Sequence, residues 1–238
     1  MSGPQCCANP PVLNPSSSNG SVEEIGGVKS YVSGSLNSKL AALLIPDVFG
    51  YEAPILRKLA DKVAAAGYYV VVPDLFYGDP YAPENAERPL SIWIQSHSPD
   101  KGAGDSKPIL EALKSKGISA IGVAGFCWGA KPVLQLVTLD EVVKAGVILH
   151  PALITVDDIK DVKVPIAALG AEFDDYCPPE FLKQLKDASN PEVDFFLKIF
   201  TGCEHGWSVR YNEEDEVAVK RAEEAHQDLL DWFNKYVK

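Results

Sequence analysis

A cysteine between glycines, an acidic pair and a histidine beside a glycine follow one another along this chain, and together they could carry out acyl transfer. Cys127 lies in Gly125-Phe126-Cys127-Trp128-Gly129-Ala130. The apolar run Ile118 to Ala124 precedes it. Lys131 to Val137 follows and reads as a helix with Pro132 in its first turn, where a missing N–H costs little. A strand, a tight turn and a helix would present the thiol at the carboxyl edge of a sheet, because glycines on both sides let strand and helix close on the turn. The helix N-terminus favours a thiolate and any oxyanion formed there. Alone, the pattern also suits a small buried cysteine, so the remaining residues carry the decision.

Asp174-Asp175 follows the apolar segment Pro165 to Gly170, and His205-Gly206 follows the segment Val193 to Phe200. A thiol needs a base to take its proton, and the imidazole needs a carboxylate to fix its tautomer and stabilise its cation. Loops after neighbouring strands bring such distant residues together. His150, at the end of Ala145 to Leu149, could reach the pocket floor, but the favoured reading is a structural histidine bonded to a backbone group. Asp47 suits a helix cap and an active-site role equally. His97 has no partner in sequence and is expected to be exposed.

The elements that must position these groups alternate. Val28 to Val32 and the run Lys39 to Ile45 read as strands. Ile55, Leu59, Val63 and Ala66 recur at helical spacing before Gly67, and Tyr68 to Asp74 reads as a buried strand. Strand, helix and strand imply a right-handed crossover in a parallel sheet, with ligands beyond the carboxyl ends of the strands. Residues 76–101 form a polar insertion with a short helix over Leu90 to Ser96, part of a rim or lid. Trp93 could line the pocket or pack beneath that lid. A last helix, Glu214 to Tyr236, is expected to bury Val217, Ala218, Ala225, Leu229 and Trp232. Residues 1–24 read as a polar coil and 25–238 as one α/β domain.

The net charge of −11 argues against nucleic acid or an anionic membrane as partner. No segment approaches the roughly 20 apolar residues that span a bilayer, and the first residues do not resemble a secretory signal. Five scattered cysteines do not form a disulfide framework, which fits the reducing cytoplasm. Cys6-Cys7 lacks nearby ligand partners for a metal. No metal or cofactor is implied.

From about Val28 onward the chain resembles the dienelactone hydrolase family of α/β-hydrolases. The residues that carry the resemblance are Ile45-Pro46-Asp47-Val48-Phe49-Gly50, Pro73-Asp74-Leu75, the segment around Cys127, Ala171-Glu172-Phe173-Asp174 with Pro178, and His205-Gly206-Trp207 with Arg210. It implies a mostly parallel sheet with helices on both faces, and the nucleophile elbow G-x-S-x-G with Cys in place of Ser. It also implies Cys127 as nucleophile, Asp174 rather than Asp175 as acid, His205 as base, and the backbone N–H groups of Val48 and Trp128 as oxyanion donors. Asp47 stands where the bacterial lactonases have a Glu that hydrogen-bonds the resting thiol. Arg210 matches one of two arginines that clamp a substrate carboxylate; Gly78 stands near the place of the other, and the nearest arginine is Arg88. Arg210 could instead pair with an acid among Glu213 to Glu216. Trp93 and Trp207 are further candidates to touch substrate.

The expected activity is hydrolysis of a small ester or lactone, neutral or singly anionic, through a thioester on Cys127. One alternative is a ligand-binding protein on the same fold. Another is a β-glucan hydrolase, a name some plant-type family members carry, although sugar chemistry calls for two carboxylates flanking the bond.

Overall fold

The computed structural model describes residues 5, 8–11 and 19–238; Cys6 and Cys7 lie outside them. Short apolar runs buried on both faces make the centre of the sheet, as parallel strands covered by helices require. These are β3 (Leu40–Ile45), β4 (Tyr69–Pro73), β5 (Ala120–Phe126) and β6 (Val143–Leu149). With β1 (Ser21–Ile25), β2 (Val28–Ser33), β7 (Ile166–Phe173) and β8 (Phe195–Glu204) they form one eight-stranded sheet, ordered β1-β2-β4-β3-β5-β6-β7-β8. The β1–β2 and β2–β4 pairs are antiparallel and the rest parallel.

Helices cover both faces, as expected. Helix α1 (Pro54–Ala65) packs on one face through Leu56, Leu59 and Val63, together with the last helix, α7 (Glu216–Tyr236), through Leu229 and Phe233. The other face holds α3 (Pro99–Ser115), α4 (Ala130–Leu139) and α6 (Pro179–Ala188), seated by Leu113, Val133 and Leu182. Asp215 caps α7 by accepting from the Val217 and Ala218 N–H groups. That leaves Val217 on the exposed first turn rather than buried.

The sheet begins inside the expected polar coil. β1 is an edge strand whose first four residues are exposed, so it shows no apolar alternation to read. Glu23 and Glu24 charge that edge, which discourages pairing with other chains. At the other end, β7 and β8 both run beyond their apolar segments and pair Phe173 with Glu204. The residues that immediately follow these strands are Asp174 and His205.

The insertion contains α2 (Leu90–Ser96), with the expected bounds. α3 begins at Pro99, so the irregular part is shorter than expected; Ser98 caps that helix by accepting from Lys101 N. Trp93 is buried beneath the insertion, donating Nε1 to the Asp79 carbonyl at 3.0 Å and packing edge-on against Phe76. His97 is not exposed and solitary. It stacks on Trp93 at 4.3 Å, and its carbonyl accepts from Trp128 Nε1 at 2.8 Å. The hydrogen bond from Tyr81 N to the Val48 carbonyl, 2.8 Å, ties the insertion to the loop after β3.

Candidate active site

Cys127 occupies the sharp turn between β5 and α4. Its φ is +52°, a conformation that side chains with a Cβ rarely adopt. Close backbone approach enforces the turn. A Cβ on Gly125 would stand 2.2 Å from the Gly129 carbonyl oxygen, and one on Gly129 would stand 2.4 Å from the Ile45 oxygen. Residues 127–129 form a 3-10 turn leading into α4, so the Trp128 N–H lies among the first donors of a helical segment, which lack intrahelical acceptors. The loop after β3 supplies a second amide. Among the described residues, the Val48 N–H donates to no other group.

Asp174 and His205 meet beyond the ends of β7 and β8. His205 Nδ1 and Asp174 Oδ2 are 2.7 Å apart, both side chains fully buried. Asp174 Oδ1 accepts from Tyr176 N at 2.9 Å and Cys177 N at 3.1 Å, which fixes the carboxylate. Asp175 is exposed. Burial opposes a charge on His205, but the Cys127 thiol and the Asp174 carboxylate outweigh it and raise the ring to about 9. Among the other described cysteines, burial pushes the Cys177 thiol up strongly and the Cys203 thiol to about 11, and a protonated thiol is a poor nucleophile.

Asp47 and Arg210 form a second buried pair, Arg210 Nε to Asp47 Oδ2 at 3.2 Å. Asp47 Oδ1 accepts from Phe49 N at 3.0 Å, closing an Asx turn rather than capping α1. Burial raises the Asp47 carboxyl to about 6 against the pull of Arg210, and the Cys127 thiolate adds to the rise. Arg210 packs over the Phe49 ring and donates Nη1 to the Ala8 carbonyl at 3.0 Å. Glu213, one of its expected alternative partners, pairs with Lys58 instead. Gly78 lines a cavity of about 250 Å³ that Arg88 does not enter as a lining residue; Arg88 is bound to Asp79 at 2.7 Å.

His150 lies closer to this centre than its favoured sequence reading implies. Its Nε2 is 2.9 Å from Ser208 Oγ, and its ring packs edge-on against His205 at 5.2 Å and Trp207 at 5.3 Å. Burial, with the His205 and Arg210 charges, holds it well below the usual imidazole range, so it stays neutral. Ser208, Phe49 and Tyr176 were not singled out from sequence. Only proximity to His205, Arg210 or the resembling segments could have pointed to them.

A groove of about 810 Å³ opens over His205, Trp207 and Arg210. Cys127 is 1 % exposed and is not among the residues that line it. Trp207 reaches this groove, while Trp93 does not line it. Among the described residues no group of three His, Cys, Asp or Glu could hold a metal. No helix among them is long and apolar enough to cross a membrane.

The description of the Dienelactone hydrolase family matches residues 28–237. A maize protein named Endo-1,3;1,4-beta-D-glucanase is 47% identical over 155 residues, 65% of this chain and 50% of its own length. The chain thus aligns with about half of that relative. A mouse Carboxymethylenebutenolidase homolog is 31% identical over 220 residues, 90% of each protein. A solved dienelactone hydrolase from Anabaena variabilis shares the fold with a TM-score of 0.64 at 16% identity, over 92% of this chain and 98% of that one. A Klebsiella pneumoniae structure does so with a TM-score of 0.76 at 18% identity, over 92% and 98%.

Proposed function

Because the chain belongs to the dienelactone hydrolase family of ester and lactone hydrolases, we propose that it works by nucleophilic catalysis from Cys127. The observation that carries this reading is the His205–Asp174 pair at 2.7 Å, with the Cys127 thiol at its +52° turn hydrogen-bonded to His205. His205 takes the thiol proton and becomes an imidazolium held by Asp174. The Cys127 thiolate attacks the ester carbonyl, and the Val48 and Trp128 N–H groups receive the oxyanion. The tetrahedral intermediate collapses to a thioester as His205 returns its proton to the leaving alkoxide. Water, deprotonated by His205, then cleaves the thioester and releases the acid and the free thiol.

The substrate is a small ester or lactone, with no role for nucleic acid, membrane, metal or cofactor. Cys127, Cys177 and Cys203 stand in no disulfide, which fits a reducing, cytoplasmic setting. Asp47 sits beside the thiol but is engaged by Arg210 and Phe49 N, so its part is to set the local charge around Cys127 rather than to carry a proton away.

The name of the maize relative suggests glucan hydrolysis as a second reading. Against it, Asp174 is committed to His205 and Asp47 to Arg210, which leaves Asp74 alone among the buried carboxylates of the described residues, whereas a glycosidase needs a free pair flanking the sugar bond. The test is an intact-mass measurement during turnover of an aryl acetate. An acetyl adduct on Cys127, absent in Cys127→Ala along with the turnover, supports the thioester. Full turnover by Cys127→Ala, or reducing sugar released from β-glucan by that variant, refutes it. A thiol that reacts no faster than free cysteine would favour the binding-protein alternative.

A further inference from the structure

Gln5 and Ala8 to Pro11 line the same groove as His205, Trp207 and Arg210. Two hydrogen bonds hold them there. Asp175 N donates to Gln5 Oε1 at 2.9 Å, beside the carboxylate that orients His205. Arg210 Nη1 donates to the Ala8 carbonyl at 3.0 Å, from a guanidinium buried against Asp47. The position of these residues is not inherited from the sheet. β1 begins at Ser21 on the edge opposite β8, while Gln5 and Ala8 attach to the loops that follow β7 and β8.

We propose that Gln5 and Ala8–Pro11 form the outer wall of the substrate groove and select uncharged esters or lactones that carry an extended apolar group. This rests on the hydrolase mechanism above and names its substrate class. Pro10 and Pro11 have fixed φ and no N–H, so they present a rigid apolar surface that leaves no donor unsatisfied when an alkyl or aryl group covers it. Pro54 and Ile55 line the groove as well. Its rim carries Glu204, Glu214 and Asp215, while Arg210 is paired with Asp47 and Arg221 donates to the Gly202 carbonyl. An acidic rim with its arginines engaged disfavours a substrate carboxylate.

The experiment compares p-nitrophenyl acetate with p-nitrophenyl hexanoate for the full chain, a truncation lacking residues 1–11, and Pro10→Gly/Pro11→Gly, with thermal melts to verify folding. The hexanoate carries four methylenes more than the acetate with which to cover the wall. A methylene that loses its apolar contact costs about fourfold in affinity. KM for the hexanoate should therefore rise at least about tenfold in both variants, with the acetate KM nearly unchanged in the double-glycine variant. Equal changes for the two esters in that variant, or no change for either, overturns the wall, whether or not the truncated chain folds. Absence of any Cys127-dependent turnover in the full chain would instead refute the hydrolase mechanism. The wall would then be read from alkylation of Cys127 by a bulky maleimide relative to iodoacetamide, followed by peptide mass. The truncation should raise the maleimide rate alone, and an unchanged ratio overturns it.

Discussion

Arg210→Ala tests how the charge beneath the groove is balanced. The side chain neutralises Asp47 at 3.2 Å, donates to the Ala8 carbonyl at 3.0 Å and covers Phe49. Asp47 already resists ionisation even with Arg210 present, its carboxyl standing at about 6 against an ordinary 3.8. At about 1.4 kcal/mol per pH unit, holding it charged at pH 8 costs roughly 3 kcal/mol. Removing one partner of a buried pair typically costs about 3–5 kcal/mol, and that is the expected loss of unfolding free energy at pH 8. Protonation limits the loss. Without Arg210 the Asp47 carboxyl titrates above 6, and every pH unit by which it does so adds about 1.4 kcal/mol of deficit on the alkaline side. The sign follows from linkage: a raised carboxyl pKa favours the folded state at low pH, and that favour is lost as pH rises through the folded-state value. The deficit should therefore be larger at pH 8 than at pH 5. Urea unfolding of both proteins across that range is the assay. A deficit under about 1 kcal/mol at pH 8, or one that does not shrink on acidification, would show that Arg210 and Asp47 are not an energetic pair. The same variant should impair neutral and anionic esters alike, because Arg210 acts through Asp47 and Ala8; a selective rise in KM for the anionic member of a matched acid and methyl-ester pair would restore it as a carboxylate clamp.

Asp174→Asn should lower kcat toward the roughly 10⁴-fold loss known for the serine analogue, whereas Asp175→Asn should stay near wild type; steady-state kinetics with an aryl acetate decide, and equal losses would count against Asp174 as the orienting acid. The alkaline limb of kcat/KM should fall near pH 9, where the His205 imidazolium, present below that value, is lost as the proton donor to the leaving alkoxide; a flat profile through pH 10 would contradict this. Gly129→Ala should abolish the elbow, since its Cβ would meet the Ile45 oxygen at 2.4 Å; a variant with wild-type melting temperature and turnover would show that the close approach is not required.

Local chemistry was legible in the chain itself. Gly125 and Gly129 around Cys127 foretell a turn that only small residues permit. The central strands are written in continuous apolar runs, because both of their faces are covered. The order of cysteine, acid and histidine follows from strand ends, and Asp174 lies within bonding distance of His205 where the motif around Pro178 suggests it. α2 appears with its own bounds because a short amphipathic turn needs no distant partner to define it.

Sequence alone thus determined the alternation of strands and helices, the elbow, and which loops could meet, since each depends on residues a few positions apart. Tertiary structure decided what distance along the chain conceals. β1 is a charged edge strand that becomes visible only against β2. Trp93 is buried against Phe76, and His97 is half-buried, its carbonyl held by the Trp128 bond. His150 reaches His205 because β7 alone separates β6, which ends just before His150, from β8, which ends just before His205. Arg210 chose Asp47 rather than a nearby glutamate, as burial makes an unpaired guanidinium costly and the loop after β3 supplies the carboxylate within 3.2 Å. Ala8 is drawn to Arg210 for the same reason: its carbonyl satisfies a donor on Arg210, 202 positions away in the chain.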